Sequence, residues 1–120
     1  AELVERCKAV LRSGVGTRDE TDLADDFEFC APFVGPLPKE SYLKALERFK
    51  LEEAFDTRAN YHFFQVDPFE PHRVWFFTRK VAVHKGSFLG NAATGREIQF
   101  PPEVYSMGFD EAGKVREFTV

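Results

Sequence analysis

Residues 23 to 46, LADDFEFCAPFVGPLPKESYLKAL, constrain the fold more than any other stretch. The chain passes there from a helix end through a short apolar strand and a proline turn into an amphipathic helix, and an aromatic-rich second half follows. That order argues for helices packed over a strongly curved sheet, an α+β shape that can enclose a small apolar cavity.

Upstream, Leu3, Cys7, Val10 and Leu11 recur at helical spacing while Glu2, Glu5, Arg6 and Lys8 supply a wet face, so residues 2 to 12 read as an amphipathic helix ended by Ser13-Gly14. Thr17 and Glu20 have the spacing of a capping box, and Leu23 with Phe27 forms an i,i+4 apolar pair for a short second helix. Residues 28 to 34 suit an edge strand leading to the Gly35-Pro36 turn. Pro38 fits a first helical turn, and Tyr42, Leu46 and Phe49 carry a third helix from 39 to about 54, with 55 to 59 as its exit.

Beyond residue 60 the period changes. Residues 61 to 66 and 73 to 83 read as two strands joined through Asp67-Pro68 and Glu70-Pro71. After a glycine-marked connection, residues 96 to 109 read as one strand disturbed at Pro101-Pro102, and 114 to 120 as the last. Several strands are apolar on both faces: Trp75 and Phe77 alternate with Phe76, and Tyr61 and Phe63 with Phe64. A second covering is therefore expected, from helices, from curvature around a cavity, or from another copy in a homodimer.

The 120 residues fit a single domain, 1–120, whose end at Val120 inside a strand-like run leaves room for a longer native chain. Twenty acidic against sixteen basic residues, the latter scattered, make a poor field for a phosphate backbone, so no nucleic acid is expected. No run is apolar enough to cross a bilayer, and Cys7 and Cys30 are too few for a disulfide scaffold. The expectation is a soluble, intracellular protein with no membrane partner.

The segments LADDFEFCAPFVGPLPKESYLKAL at 23 to 46, VHKGSFLG at 83 to 90 and ATGREIQFPPEVYSMGFDEAGKVREFTV at 93 to 120 resemble the SnoaL-like group of the nuclear-transport-factor-two-like superfamily. The resemblance implies a cone of three N-terminal helices against a bent antiparallel sheet, with a pocket between them. Relatives include polyketide cyclases, steroid isomerases, dehydratases and proteins without demonstrated chemistry, so the reaction is not implied. In the isomerase-like pattern Cys7 stands where a phenolic donor is usual and Ala31 where the carboxylate base is usual. In the cyclase-like pattern Glu117 aligns with the usual glutamate, but Phe118-Thr119 replace a His-Trp pair. His84 matches the histidine of the HxG segment.

From the residues themselves, Glu103 and Glu117 are the first candidate catalytic carboxylates, since each lies in a strand-like apolar run that can hold it in a cavity. Such an acid can move an activated carbon-bound proton if a donor such as Tyr105 steadies the oxyanion. The bland alternative is that each points to solvent or pairs across the sheet with a basic neighbour such as Arg79 or Arg116. His84, beside a loop, is a candidate base or ligand contact. Tyr61, Phe63, Trp75 and Phe77 can line a pocket for a small apolar or conjugated ligand, and Cys7 is a candidate lining residue that equally suits a core thiol. His62, His72 and His84 lack metal-ligand spacing, and no cofactor motif or nucleophile elbow occurs, so neither metal nor cofactor is implied.

Overall fold

The structure, a computed structural model, describes residues 2–49 and 51–120. Helix α1 (Glu2–Arg12) buries Cys7, Val10 and Leu11, and it ends where the sequence places the stop, at Gly14 with φ +72°. Strands β1 (Leu23–Ala31) and β2 (Val34–Pro38) lead into α2 (Lys39–Phe49) and the one-turn α3 (Leu51–Ala54). Then come β3 (Phe55–Arg58), β4 (His62–Val66), β5 (Arg73–Thr78), β6 (Val81–His84), β7 (Glu97–Gln99), β8 (Glu103–Phe109) and β9 (Val115–Thr119).

Four expectations need correction. The second helix is only a 3₁₀ turn, Glu20–Asp22, capped by Asp19 accepting from the Thr21 amide at 3.0 Å and not by Thr17. Leu23 and Phe27 lie in β1, which starts five residues earlier than expected. Residues 55 to 58 form a strand rather than a helix exit. The runs 73 to 83 and 96 to 109 are each broken into two strands, at 79–80 and at 100–102. The third helix is expected to cover position 50, which lies outside the described residues.

The breaks bend the sheet. Six strands run in the order β2-β1-β9-β8-β5-β4, and three more in the order β3-β6-β7. The small set continues the large one: β3 precedes β4, β6 follows β5, and β7 precedes β8, each pair separated by two or three residues. Bonds still cross the joint, from the Phe100 amide to the Lys80 carbonyl (2.9 Å) and from the Arg79 amide to the Ala59 carbonyl (3.1 Å). Pro101-Pro102 offer no ladder donors, and Asn60 takes φ +55° while its Nδ2 donates to the Arg79 carbonyl at 2.9 Å. A crease therefore runs across three neighbouring strands at residues 59–61, 79–80 and 100–102. All strand pairs are antiparallel except β1 with β9, which is parallel.

The concave face is filled by rings. Phe64, Phe76, Tyr105 and Phe118 stack in sequence at centroid distances of 5.3, 5.4 and 5.7 Å, and Phe29, Tyr42 and Phe27 continue the chain. Helix α1 lies against β4 and β5, and α2 against β1 and β2. Tyr42 Oη donates to the Val15 carbonyl at 3.1 Å, while Arg6 ties α1 to Asp22 and to the Gly113 carbonyl.

Candidate functional site

Register decides which residues face the concave interior. Val74, Phe76 and Thr78 of β5 stand opposite Met107, Tyr105 and Glu103 of β8, and all six point inward. The parity that buries Val74, Phe76 and Thr78 carries on to Lys80 at the crease, just beyond the strand end. Glu103 is the first strand residue past the two prolines, so the bend sets its carboxylate beside the Lys80 ammonium.

Four polar groups meet there. Glu103 Oε1 lies 3.2 Å from Lys80 Nζ, accepts from Tyr105 Oη at 3.1 Å, and has the Thr78 hydroxyl at 3.4 Å. Lys80 Nζ also donates to Tyr105 Oη and sits 4.9 Å from the centre of its ring. The Lys80 and Glu103 side chains are each about a quarter exposed, while Thr78 is fully buried, so the cluster is anchored below and reachable above. Burial first, then the Glu103 charge, raises the Tyr105 phenol well above its ordinary value, so it stays a protonated donor. Tyr61, at the same crease, packs on Phe76 at 5.7 Å. Its pKa is raised by burial, with smaller effects from Lys80, Tyr105 and Cys7. Beside Tyr61 opens a hollow of about 260 Å³ lined also by Lys8, Leu11, Arg12 and Phe64.

Of the residues singled out from sequence, Glu103, Tyr105, Tyr61 and Cys7 thus gather on the concave side. Cys7 is fully buried 3.9 Å from Met107 Sδ, and burial pushes its thiol up to about 12, with Lys8 opposing, which makes it an inert wall. The others fall elsewhere. Trp75 and Phe77 have the opposite parity to Phe76 and face outward, as does Phe63, three-quarters exposed at an irregularity between β4 and β5.

Glu117 is also on the outer face, opposite Gly108, and is held by Arg73 at 2.8 Å. Arg73 in turn donates to Glu70 at 2.7 Å and to Ser106 at 2.8 Å, so the charges of this outer groove, about 550 Å³, largely satisfy one another.

His84 lies in the small sheet, stacked on Phe55 at 5.1 Å with Nδ1 3.1 Å from the Thr94 hydroxyl, and its buried Nε2 has no hydrogen-bond partner among the described residues. Each glutamate is paired with a basic neighbour, as the bland alternative expects, though with neither of the two arginines it names. Glu103 pairs with Lys80 rather than Arg79, and Glu117 with Arg73 rather than Arg116, which binds Asp26. Lys80 and Thr78 are the site residues that sequence reasoning missed. The inward parity running from Val74 to Lys80 was the available signal.

AclR of Streptomyces galilaeus, a proposed hydroxylase, superposes with a TM-score of 0.72 at 17% identity, covering 98% of this chain and 76% of that one. IdmH of Streptomyces antibioticus, a proposed polyketide cyclase, gives 0.70 at 15% identity over 99% and 90%. The fold is SnoaL-like. A SnoaL-like polyketide cyclase from Agrobacterium tumefaciens gives 0.64 at 19% identity over 98% and 87% of the two chains. No protein-family model and no curated protein sequence matches the chain. At these identities the agreement is one of fold, and the SnoaL-like cone is what this chain shares with those proteins. Among the described residues no helix is long and apolar enough to cross a membrane, and no three His, Cys, Asp or Glu side chains gather as a metal site.

Proposed function

We propose that this SnoaL-like domain binds a small, flat, largely apolar molecule at the crease, between Tyr61, Lys80, Glu103 and Tyr105. It acts there by proton transfer on a conjugated ketone, through isomerisation or aldol-type cyclisation. One observation carries the reading: a part-exposed carboxylate is held on one oxygen by a phenol, an ammonium and a hydroxyl, at the open edge of an aromatic face. A carboxylate so placed can take a proton from carbon, and the hollow on the other side of Tyr61, just below the roughly 300–1,000 Å³ typical of ligand sites, suits one or two fused rings. The polyketide cyclases of the same fold support this class of substrate.

Ligand-observed NMR with a panel of bicyclic ketones and matched hydrocarbons tests it. The ketones are expected to bind and to lose affinity with Glu103→Gln, whereas Glu117→Gln leaves them unaffected. Binding that is indifferent to Glu103 but lost with Glu117→Gln would move the site to the outer groove.

The outer face supports a homodimer as well. Phe63, Trp75, Phe77 and Val104 leave apolar surface on the face opposite the cluster. A second copy covering it leaves the crease open, so assembly and ligand binding are compatible.

A further inference from the structure

We propose that Lys80 is the oxyanion donor of this site and that Tyr105 is a positioning residue. The group recognised is then a carbonyl oxygen with an acidic C–H beside it. The inference rests on the reading of the crease as a ligand site and adds the identity of the groups that meet the ligand.

It follows from counting protons. Tyr105 has one hydroxyl proton, donated to Glu103 Oε1, and its oxygen accepts from Lys80. Thr78 is buried, and its hydroxyl lies within reach of the same carboxylate oxygen, so its proton also stays inside the cluster. Neither hydroxyl has a donor to spare. Lys80 carries three N–H donors and uses two, on Tyr105 and Glu103. Among the described residues every donor to Glu103 converges on Oε1, which leaves Oε2 unoccupied. The cluster therefore presents one free donor and one free acceptor side by side, both on part-exposed side chains.

That pair matches a ketone whose carbonyl oxygen faces Lys80 Nζ and whose α-C–H faces Glu103 Oε2. In the step the C–H bond breaks and its proton goes to Oε2. The electron pair forms the enolate C=C, and the charge settles on the carbonyl oxygen against the ammonium. Return of a proton from Oε2, or of a deuteron once that carboxyl has exchanged with solvent, to the same carbon or to another carbon of the conjugated system regenerates the carboxylate. The arrangement favours the transition state over the bound ketone. Before transfer the Lys80 charge is shared with an ionised Glu103; as Glu103 takes the proton, the ammonium is released to the developing oxyanion. Tyr105 holds the base in place throughout and keeps its own proton.

Exchange of the C1 protons of 2-tetralone in D₂O, followed by ¹H NMR, tests the assignment. Thermal unfolding of each variant checks that it folds. The wild-type protein is expected to catalyse exchange with saturation, and Glu103→Gln to abolish it. Lys80→Met should lower kcat by about 10²–10³-fold with KM changed less than threefold, and Lys80→Arg should recover part of the loss. Across ring-substituted tetralones, Tyr105→Phe should slow every member by a similar factor, whereas Lys80→Met should cost most where the enolate oxygen carries most charge. Exchange lost in Glu103→Gln but intact in Lys80→Met would overturn the role of Lys80 and leave the ligand site standing. Neither exchange nor saturable binding by the wild-type protein would overturn both.

Discussion

Phe76 touches Tyr61, Phe64 and Tyr105 and has no exposed surface, so the ring chain of the concave face depends on it. Phe76→Ala is expected to cost about 3–5 kcal/mol, read from denaturant unfolding, because a rigid aromatic stack cannot close over the void. Tyr105→Phe keeps the ring and removes only a hydroxyl, but one bonded to both Glu103 and Lys80, and should cost about 1.5–3 kcal/mol. At this scale the sequence was half legible. Glu103 and Tyr105 stand two apart in one strand and must share a face, which is enough to pair an acid with a donor. Glu117 sits in an equally apolar run, and only the pairing with Gly108 turns it outward. Register of that kind is a property of two strands at once and not of either sequence alone. Lys80 shares the parity of Val74, Phe76 and Thr78, but its place beside Glu103 depends on the crease, which three strands form together.

Elements were misread where two periods coincide. Leu23 and Phe27 are four apart, and an interval of four returns to the same face in a helix and in a strand alike, so the pair could not distinguish them. Pro101-Pro102 did announce a disturbance. What it could not announce is that Asn60 and Arg79 break in line with it, turning three local irregularities into one crease.

Turn chemistry gives two checks at this scale. Gly35, inside β2, has φ +112°, and an added Cβ would stand 2.5 Å from the Phe29 carbonyl oxygen of β1; Gly35→Ala should therefore loosen the pairing of β2 with β1, seen as faster amide exchange in β2. Asp67 accepts from Trp75 Nε1 at 2.7 Å and from the Phe69 and Glu70 amides at 2.7 and 2.9 Å, and these bonds, the indole first, lower its pKa. A depressed folded-state pKa means that the stabilisation is complete above the unfolded value of about 3.9 and disappears as pH falls through the lowered one. Trp75 fluorescence should report loosening of the β4–β5 turn in that acid range, and Asp67→Asn should remove the dependence.

For the whole molecule, the α+β cone was legible from the order of helices and aromatic strands, and the two-faced apolarity has a divided explanation. Inward rings are covered by α1 and α2. Outward Phe63, Trp75, Phe77 and Val104 remain as an apolar patch across the neighbouring strands β4, β5 and β8, a surface that a second copy can cover. Sedimentation should find a dimer that Phe77→Glu with Val104→Glu converts to folded monomer. The direct measurement of the central claim is chemical-shift mapping of a bicyclic ketone titrated into the isotopically labelled protein. Saturable perturbations centred on Tyr61, Thr78, Lys80, Glu103 and Tyr105 are expected. Perturbations confined to Arg73, His72 and Glu117 in the outer groove would contradict the account.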